Sequence, residues 1–148
     1  MDIKHPAIIV DIDGTLSDAA HRQHLVRGGL KNWDKFYDLC YLDPLQNHVA
    51  LIIRALAFQF RILLVSGRVE RTRTMTIEWL VKHKIPYDEL FMRPDGNYIE
   101  DQVLKEQILD RDILPRFDVA FALDDRDRVV KMWRSRGIPC LQCAEGDF

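Results

Sequence analysis

Residues 7–16 read Ala7-Ile8-Ile9-Val10-Asp11-Ile12-Asp13-Gly14-Thr15-Leu16: an apolar run that stops on two carboxylates and then turns through a glycine. Four apolar residues without alternation fit a strand buried on both faces, as in a parallel sheet. Residues two apart in extended chain leave the same face, so Asp11 and Asp13 are expected to project together from the strand end. Outward from this stretch the pattern repeats. Ile62 to Val65 stops on Ser66-Gly67-Arg68, and Val119 to Leu123 stops on Asp124-Asp125-Arg126. A further apolar run surrounds Cys140, from Ile138 to Ala144, and a weaker one spans Leu90 to Met92.

Helical patterns separate these runs. With Asp43 as a cap and Pro44 at the first helical position, Val49, Ile52, Ile53 and Leu56 fall at i, i+3, i+4 and i+7. Glu70 to His83 carries Ile77, Leu80 and Val81 at similar spacing, and Asp101 to about Ile113 carries Val103, Leu104 and Ile108. A last helix, roughly Arg126 to Arg136, aligns Val129, Val130 and Trp133, with Gly137 placed as a C-cap and Pro139 blocking continuation. Strands alternating with helices predict an α/β three-layer sandwich with a central parallel sheet. Residues 17–44 interrupt the alternation, as a lid or a substrate platform.

The 148 residues suit one compact domain, residues 1–148. At 47% hydrophobic and 30% charged, with 7 glycines and 6 prolines, a sizeable core is expected and a disordered chain is excluded. The formal charge of −2 excludes whole-chain attraction to nucleic acid or an anionic membrane, so any nucleic-acid contact is local. Met1 to Pro6 lack the features of a secretory signal, and no apolar stretch reaches the roughly 18 residues that cross a bilayer. A soluble, intracellular, cytoplasmic protein without membrane contact is expected. Cys40, Cys140 and Cys143 are then reduced thiols. Cys140 and Cys143 form a C-x-x-C inside an apolar run, where an odd offset puts them on opposite faces; buried structural thiols fit better than zinc or redox chemistry.

Polar groups at three strand ends occupy the edge where open α/β sheets bind ligands. A cluster of Asp11, Asp13, Asp124 and Asp125 repels itself unless a hard cation sits among its oxygens, and oxygen-rich sites suit Mg²⁺. Lys105 adds positive charge; Asp101, four residues earlier on the same helix face, either pairs with it or reaches the site beside it. Arg22, Arg27 and Lys31 in the insert, and Arg68, Arg71 and Arg73 after the second run, are positioned to border one edge of the sheet. Trp33, Phe36, Tyr37 and Tyr41 are candidates for base stacking, though their spacing is also that of one helix face packed on the core, which is the favoured reading. His21 and His24 bracket Arg22 and are read as solvated or substrate-edge side chains rather than metal ligands.

The D-x-D-G-T-L opening at residues 11–16, followed in order by Ser66, Lys105 and Asp124-Asp125, resembles the haloacid dehalogenase (HAD) superfamily. Val65-Ser66-Gly67-Arg68, Ala122 to Arg126, Val130 to Arg134 and the terminal Gly146-Asp147-Phe148 are similar to the 3′-phosphatase domain of phage-type polynucleotide kinase/phosphatases. The resemblance covers the whole chain. It implies a HAD-like Rossmannoid fold and a phosphatase in which Asp11 is the nucleophile that forms an aspartyl-phosphate. Asp13 is then the general acid and later the base for the hydrolytic water. Ser66, Gly67 and Lys105 would hold the phosphate, with Arg22, Arg68 and Asp101 matching further substrate-site positions. Mg²⁺ would bind the Asp11 carboxylate, the Asp13 backbone carbonyl and one of Asp124 and Asp125, with Asp125 favoured.

No G-x-x-x-x-G-K-[ST] loop occurs in these residues, so kinase chemistry is not expected of them. Residues 19–44 depart from the related enzymes. About 26 residues make a helical flap rather than a cap domain, which favours an open site. The expected substrate is a 3′-phosphorylated DNA or RNA end. The rivals are a small phosphorylated metabolite, such as a nucleotide or sugar phosphate, and a non-catalytic module that binds phosphorylated ends. Neither the preferred nucleic acid nor the oligomeric state follows from the sequence.

Overall fold

The computed structural model describes residues 3–148; Met1 and Asp2, part of the N-terminal stretch considered above, lie outside the described residues. Five strands, β1 (His5–Val10), β2 (Arg61–Val69), β3 (Glu89–Arg93), β4 (Phe117–Asp124) and β5 (Cys140–Gln142), form one sheet in the order β3-β2-β1-β4-β5. Every pairing is parallel. The chain steps outward from β1 through β2 to β3, then crosses to β4 on the other side of β1. The strand order therefore reverses at β1, and the crevice beyond the ends of β1 and β4 is the switch point where such sheets take ligands.

Side-chain alternation assigns the two faces. Ile8, Val10, Ile62, Leu64 and Leu123 pack against α2 (Asn47–Leu56) and α3 (Arg73–Lys82). Ala7, Ile9, Leu63, Val65 and Ala122 pack against α4 (Asp101–Ile108), its π-helical continuation Leu109–Ile113, and α5 (Asp127–Ser135). The result is the expected three-layer α/β sandwich. Among the described residues, no helix is long and apolar enough to cross a membrane.

Several expectations are corrected. α2 begins at Asn47, not after an Asp43 cap, because Pro44 and Leu45 are tied to the segment after β1: Asp18 N donates to Pro44 O (2.9 Å), Gln46 N to Leu16 O (2.8 Å), and Leu45 bridges Ser17. β2 runs on through Ser66 to Val69 rather than stopping at the serine. On α3 the inner residues are Thr76, Trp79 and Leu80, whereas Val81 faces solvent. Cys140 and Cys143 do pack on opposite faces of the sheet. Cys140 is buried and Cys143 only partly so; burial pushes their thiols up to about 12 and about 11, which keeps both protonated and unreactive.

The insert is compact. It comprises a 3₁₀ turn (Ala20–Leu25), the short helix α1 (Trp33–Asp38) and a second 3₁₀ turn (Cys40–Leu42). Of its aromatics, Phe36 alone is core-buried; Trp33 and Tyr41 are substantially exposed. The helix-face reading holds for one residue of the four.

Candidate active site

Asp11 follows β1 directly, its N–H donating to Leu123 O on β4 (3.0 Å), so the two strand ends stay in register where the acids cluster. Asp11, Asp124 and Asp125 are all buried, and one oxygen from each lies within 4.8 Å of the others; these three are the side chains spaced to hold a cation among the described residues. Gly14, at φ 85°, makes the turn that brings the loop against Asp125; a Cβ there would overlap that carboxylate.

The three acids are not equivalent. Asp124 is fully engaged: Oδ1 accepts from the Asp125 and Arg126 N–H groups (2.9 and 3.4 Å), and Oδ2 from Lys105 Nζ (3.0 Å) and Trp133 Nε1 (3.2 Å). Asp11 receives Lys105 Nζ on Oδ1 (2.8 Å) and Thr15 Oγ1 on Oδ2 (3.1 Å). Asp125 accepts a long bond from Thr15 (3.4 Å) and has its carboxyl beside that of Asp11. Burial and the neighbouring Asp124 push the Asp11 carboxyl well up and Asp125 to about 6. Burial would lower the Lys105 ammonium, but Asp101, Asp11 and Asp124 outweigh it and raise it, so this lysine stays charged. Asp101 does both things weighed for it: it lies 3.4 Å from Lys105 Nζ and lines the cavity beside Asp11.

Asp13 leaves this cluster, which corrects the expectation of four carboxylates around one centre. Its Oδ1 accepts from Arg22 Nη2 (2.5 Å) and from Arg68 Nε and Nη2 (3.0 and 2.7 Å). Burial alone would raise its carboxyl, yet the two guanidiniums hold it well below the usual carboxylate range. Both arginines are fully buried behind Asp13, whereas Asp11 and Asp13 open on the cavity. Ser66 is buried as well, with its hydroxyl accepting from Arg68 N (3.1 Å). Gly67 reaches the cavity surface, where a Cβ would overlap the Asp101 carboxylate.

Two residues escape sequence reasoning. Asp43, fully buried, accepts from Arg22 Nε (2.8 Å) and Nη2 (2.6 Å), Arg68 Nη2 (3.3 Å) and Ser17 Oγ (2.9 Å), and shares a hydrogen bond with His21 (2.7 Å). His21 stays exposed to solvent, as expected, while its ring reaches this brace. Arg93, ending β3, donates to Gly67 O (3.0 Å) and stands 3.6 Å from Asp101. A polar residue at yet another strand end was the signal that could have found it. Arg73, by contrast, turns away to Glu70 and Leu90 O, and does not border the cavity.

The cavity measures about 1030 Å³, and Arg27, Lys31, Trp33, Tyr37, Arg126 and Phe148 are among the residues around it. A parallel sheet whose switch point carries Asp11, a lysine-neutralised acid pair and a cavity of this form defines a HAD-type phosphatase. Structures of HAD-like hydrolases share the fold: one from Streptococcus pneumoniae superposes with a TM-score of 0.61 at 12% identity, over 96% of this chain and 87% of its own.

More particularly, residues 5–148 match the model of the polynucleotide kinase PNKP phosphatase domain, and the chain belongs to that family. A protein of Autographa californica nuclear polyhedrosis virus, provisionally named a bifunctional polynucleotide kinase/RNA ligase, is 29% identical over 141 residues, 91% of this chain and 19% of its own. Chains in two structures, a Pnkp1/Rnl/Hen1 complex and the Pnkp1/Rnl/Hen1 RNA repair complex, are 33% identical with TM-scores of 0.85 and 0.84. Each match covers 98% of this chain, but 48% and 44% of the other, so this chain spans less than half the length of these relatives.

Proposed function

We propose that the protein is a Mg²⁺-dependent polynucleotide 3′-phosphatase working through an aspartyl-phosphate on Asp11. The observation that carries it is the division of labour between the two acids after β1. Asp11 sits among Lys105, Thr15 and the acidic pair, and Asp13 is held apart by Arg22 and Arg68, with both opening on one cavity.

The donor set fits a hard cation. Asp11 and Asp125 are buried oxygen donors whose carboxyls are pushed up by burial and by Asp124, a cost that a bound cation relieves. Asp125 has fewer hydrogen-bond partners than Asp124, so Asp11 and Asp125 would hold the ion, with the Asp13 carbonyl as the third group the family resemblance assigns. Asp124 instead fixes Lys105 and the loop before α5. When bound, Mg²⁺ neutralises the charge of Asp11 and of a phosphate beside it.

Asp11 attacks phosphorus from the floor of the cavity. Lys105 balances charge on Asp11, with Ser66 and Gly67 assigned to the phosphate oxygens. Asp13, held ionised by its arginines, suits the base that accepts a proton from the hydrolytic water. For the first step Asp13 takes a proton from solvent and passes it to the 3′-oxygen as the P–O bond breaks; the carboxylate left behind, stabilised by Arg22 and Arg68, is the base for the water that then cleaves the aspartyl-phosphate. The nucleic-acid end as substrate is supported by family membership and by the polynucleotide and RNA-repair names of the relatives. The cavity volume also lies at the upper limit for small-molecule pockets.

Phosphate release from a short oligonucleotide with a 3′-phosphate, compared with its 5′-phosphate isomer and a 3′-mononucleotide, with Mg²⁺ and with chelator, tests this assignment. Metal-dependent release favouring the 3′-phosphorylated strand is expected, together with loss of turnover in a folded Asp11→Asn variant. Release only from the mononucleotide would overturn the substrate assignment, and undiminished turnover by Asp11→Asn the mechanism.

A further inference from the structure

The insert holds its aromatic rings in distinct environments. Phe36 is buried beneath the Arg22 guanidinium, 4.2 Å from ring centroid to carbon. Tyr37 donates its hydroxyl to Gly67 O (3.4 Å), which ties its ring to the segment assigned to the phosphate. Trp33 stacks on Tyr37 with centroids 6.0 Å apart and planes 29° from parallel, and Phe36 braces both rings edge-on at 5.6 and 5.5 Å. α1 is pinned on another side by Arg71, which bonds Asp38 (2.6 Å) and Asp34 (3.2 Å). Core packing accounts for Phe36. It does not account for Trp33, which is 42% exposed and, with Tyr37, lines the cavity containing Asp11 and Asp13.

We propose that Trp33, buttressed by Tyr37, is a stacking wall for a nucleobase of the strand whose 3′-phosphate lies at Asp11. This rests on the polynucleotide reading above and extends it: the site grips the strand through its bases as well as its terminal phosphate. Stacking discriminates little between bases, because every base presents a π-face, so the wall suits ends of any sequence. Charge for flanking phosphates lies on the same cavity. Arg126 has a buried Nε with no hydrogen-bond partner, and Arg126 and Arg27 stand 4.8 and 5.3 Å from the Phe148 ring.

The tryptophans make the wall directly measurable. Trp79 and Trp133 are buried in the core, so a base stacking in the cavity quenches the emission of Trp33. The probes are a 3′-phosphorylated trinucleotide and the same backbone with abasic sugars, titrated into the Asp11→Asn variant in Mg²⁺. Quenching by the intact strand and not by the abasic one is expected. In otherwise wild-type enzyme, Trp33→Ala is expected to raise KM for the intact strand about tenfold, with a much smaller effect on kcat and on the abasic strand. Trp33→Phe should recover most of the loss.

No quenching by the intact strand, or equal losses on intact and abasic strands, would overturn the wall. If the wild-type enzyme turns over both strands with equal efficiency, the wall falls while the polynucleotide reading stands. If it releases phosphate only from a 3′-mononucleotide, both fall.

Discussion

Asp43 shows what a single buried carboxylate does for this site. It braces Arg22 from the insert to Arg68 from β2, so the two guanidiniums that hold Asp13 are themselves held. Removing one partner of a buried charge pair costs about 3–5 kcal/mol, because the remaining charge stays uncompensated. Asp43→Ala is therefore expected to lower the melting temperature by roughly 10 °C and to reduce turnover with it. A thermal melt coincident with that of the parent protein would show that the arginines need no brace. The residue also marks a limit of sequence reading. Asp11, Asp124 and Asp125 announce themselves because each follows an apolar run that ends at the ligand edge of the sheet. Asp43 precedes a proline and a helical pattern and reads locally as a cap; its partners lie 21 and 25 residues away, at separations no local pattern encodes. Asp13 was legible as a site position but not in its partners, since strand geometry gives the direction of a side chain and not what meets it there.

Elements were legible in proportion to how much apolar surface they bury on both sides. The four uniform runs and the weaker one at Leu90–Met92 all became strands, paired parallel as burial on both faces implies, whereas the order β3-β2-β1-β4-β5 is set by crossovers that no single run encodes. The boundaries that moved are those set by tertiary contacts: β2 continues past Ser66 to Val69, and the start of α2 yields to pairing between residues 44–46 and 16–18. The insert was least legible. α1 has six residues, too few to stand alone as a helix, so its order depends on what it touches. Phe36 under Arg22 is its buried anchor, and loss of a buried phenyl ring costs about 3–5 kcal/mol. Because the sheet does not depend on this ring, Phe36→Ala is expected to loosen the insert rather than the molecule. Limited proteolysis should cut faster within residues 26–32 while the remainder resists, with a matching fall in kcat/KM on a 3′-phosphorylated strand. Unchanged cleavage within the insert would mean that the Arg71 bridges suffice.

The molecule as a whole carries a conflict between folding and function at the switch point, and pH exposes it. In the metal-free protein the Asp125 carboxyl is raised from 3.8 to about 6, and Asp11 is raised too, chiefly by burial and by Asp124. The folded state then binds more protons than the unfolded state through this window, so stability falls as pH rises from about 4 to beyond 6. For Asp125 alone the loss is on the order of 3 kcal/mol. Asp13 has the opposite sign: its lowered carboxyl contributes stability that is complete once the pH exceeds the unfolded value of 3.8, so it adds little slope above about 4.5. Lys105, raised, contributes none here, since its gain is retained until far more alkaline pH. Chelated protein is therefore expected to melt at progressively lower temperature from pH 4.5 to 7. Mg²⁺ needs the ionised carboxylates and relieves their repulsion, so its stabilisation should be small at pH 4.5 and grow through pH 6 to 7, with proton release on binding. Melting curves across this range, with chelator and with Mg²⁺, check both halves. A chelated protein whose stability rises through pH 6 would show that the acidic cluster is already neutralised by Lys105, and a Mg²⁺ effect independent of pH would place the ion elsewhere than on Asp11 and Asp125.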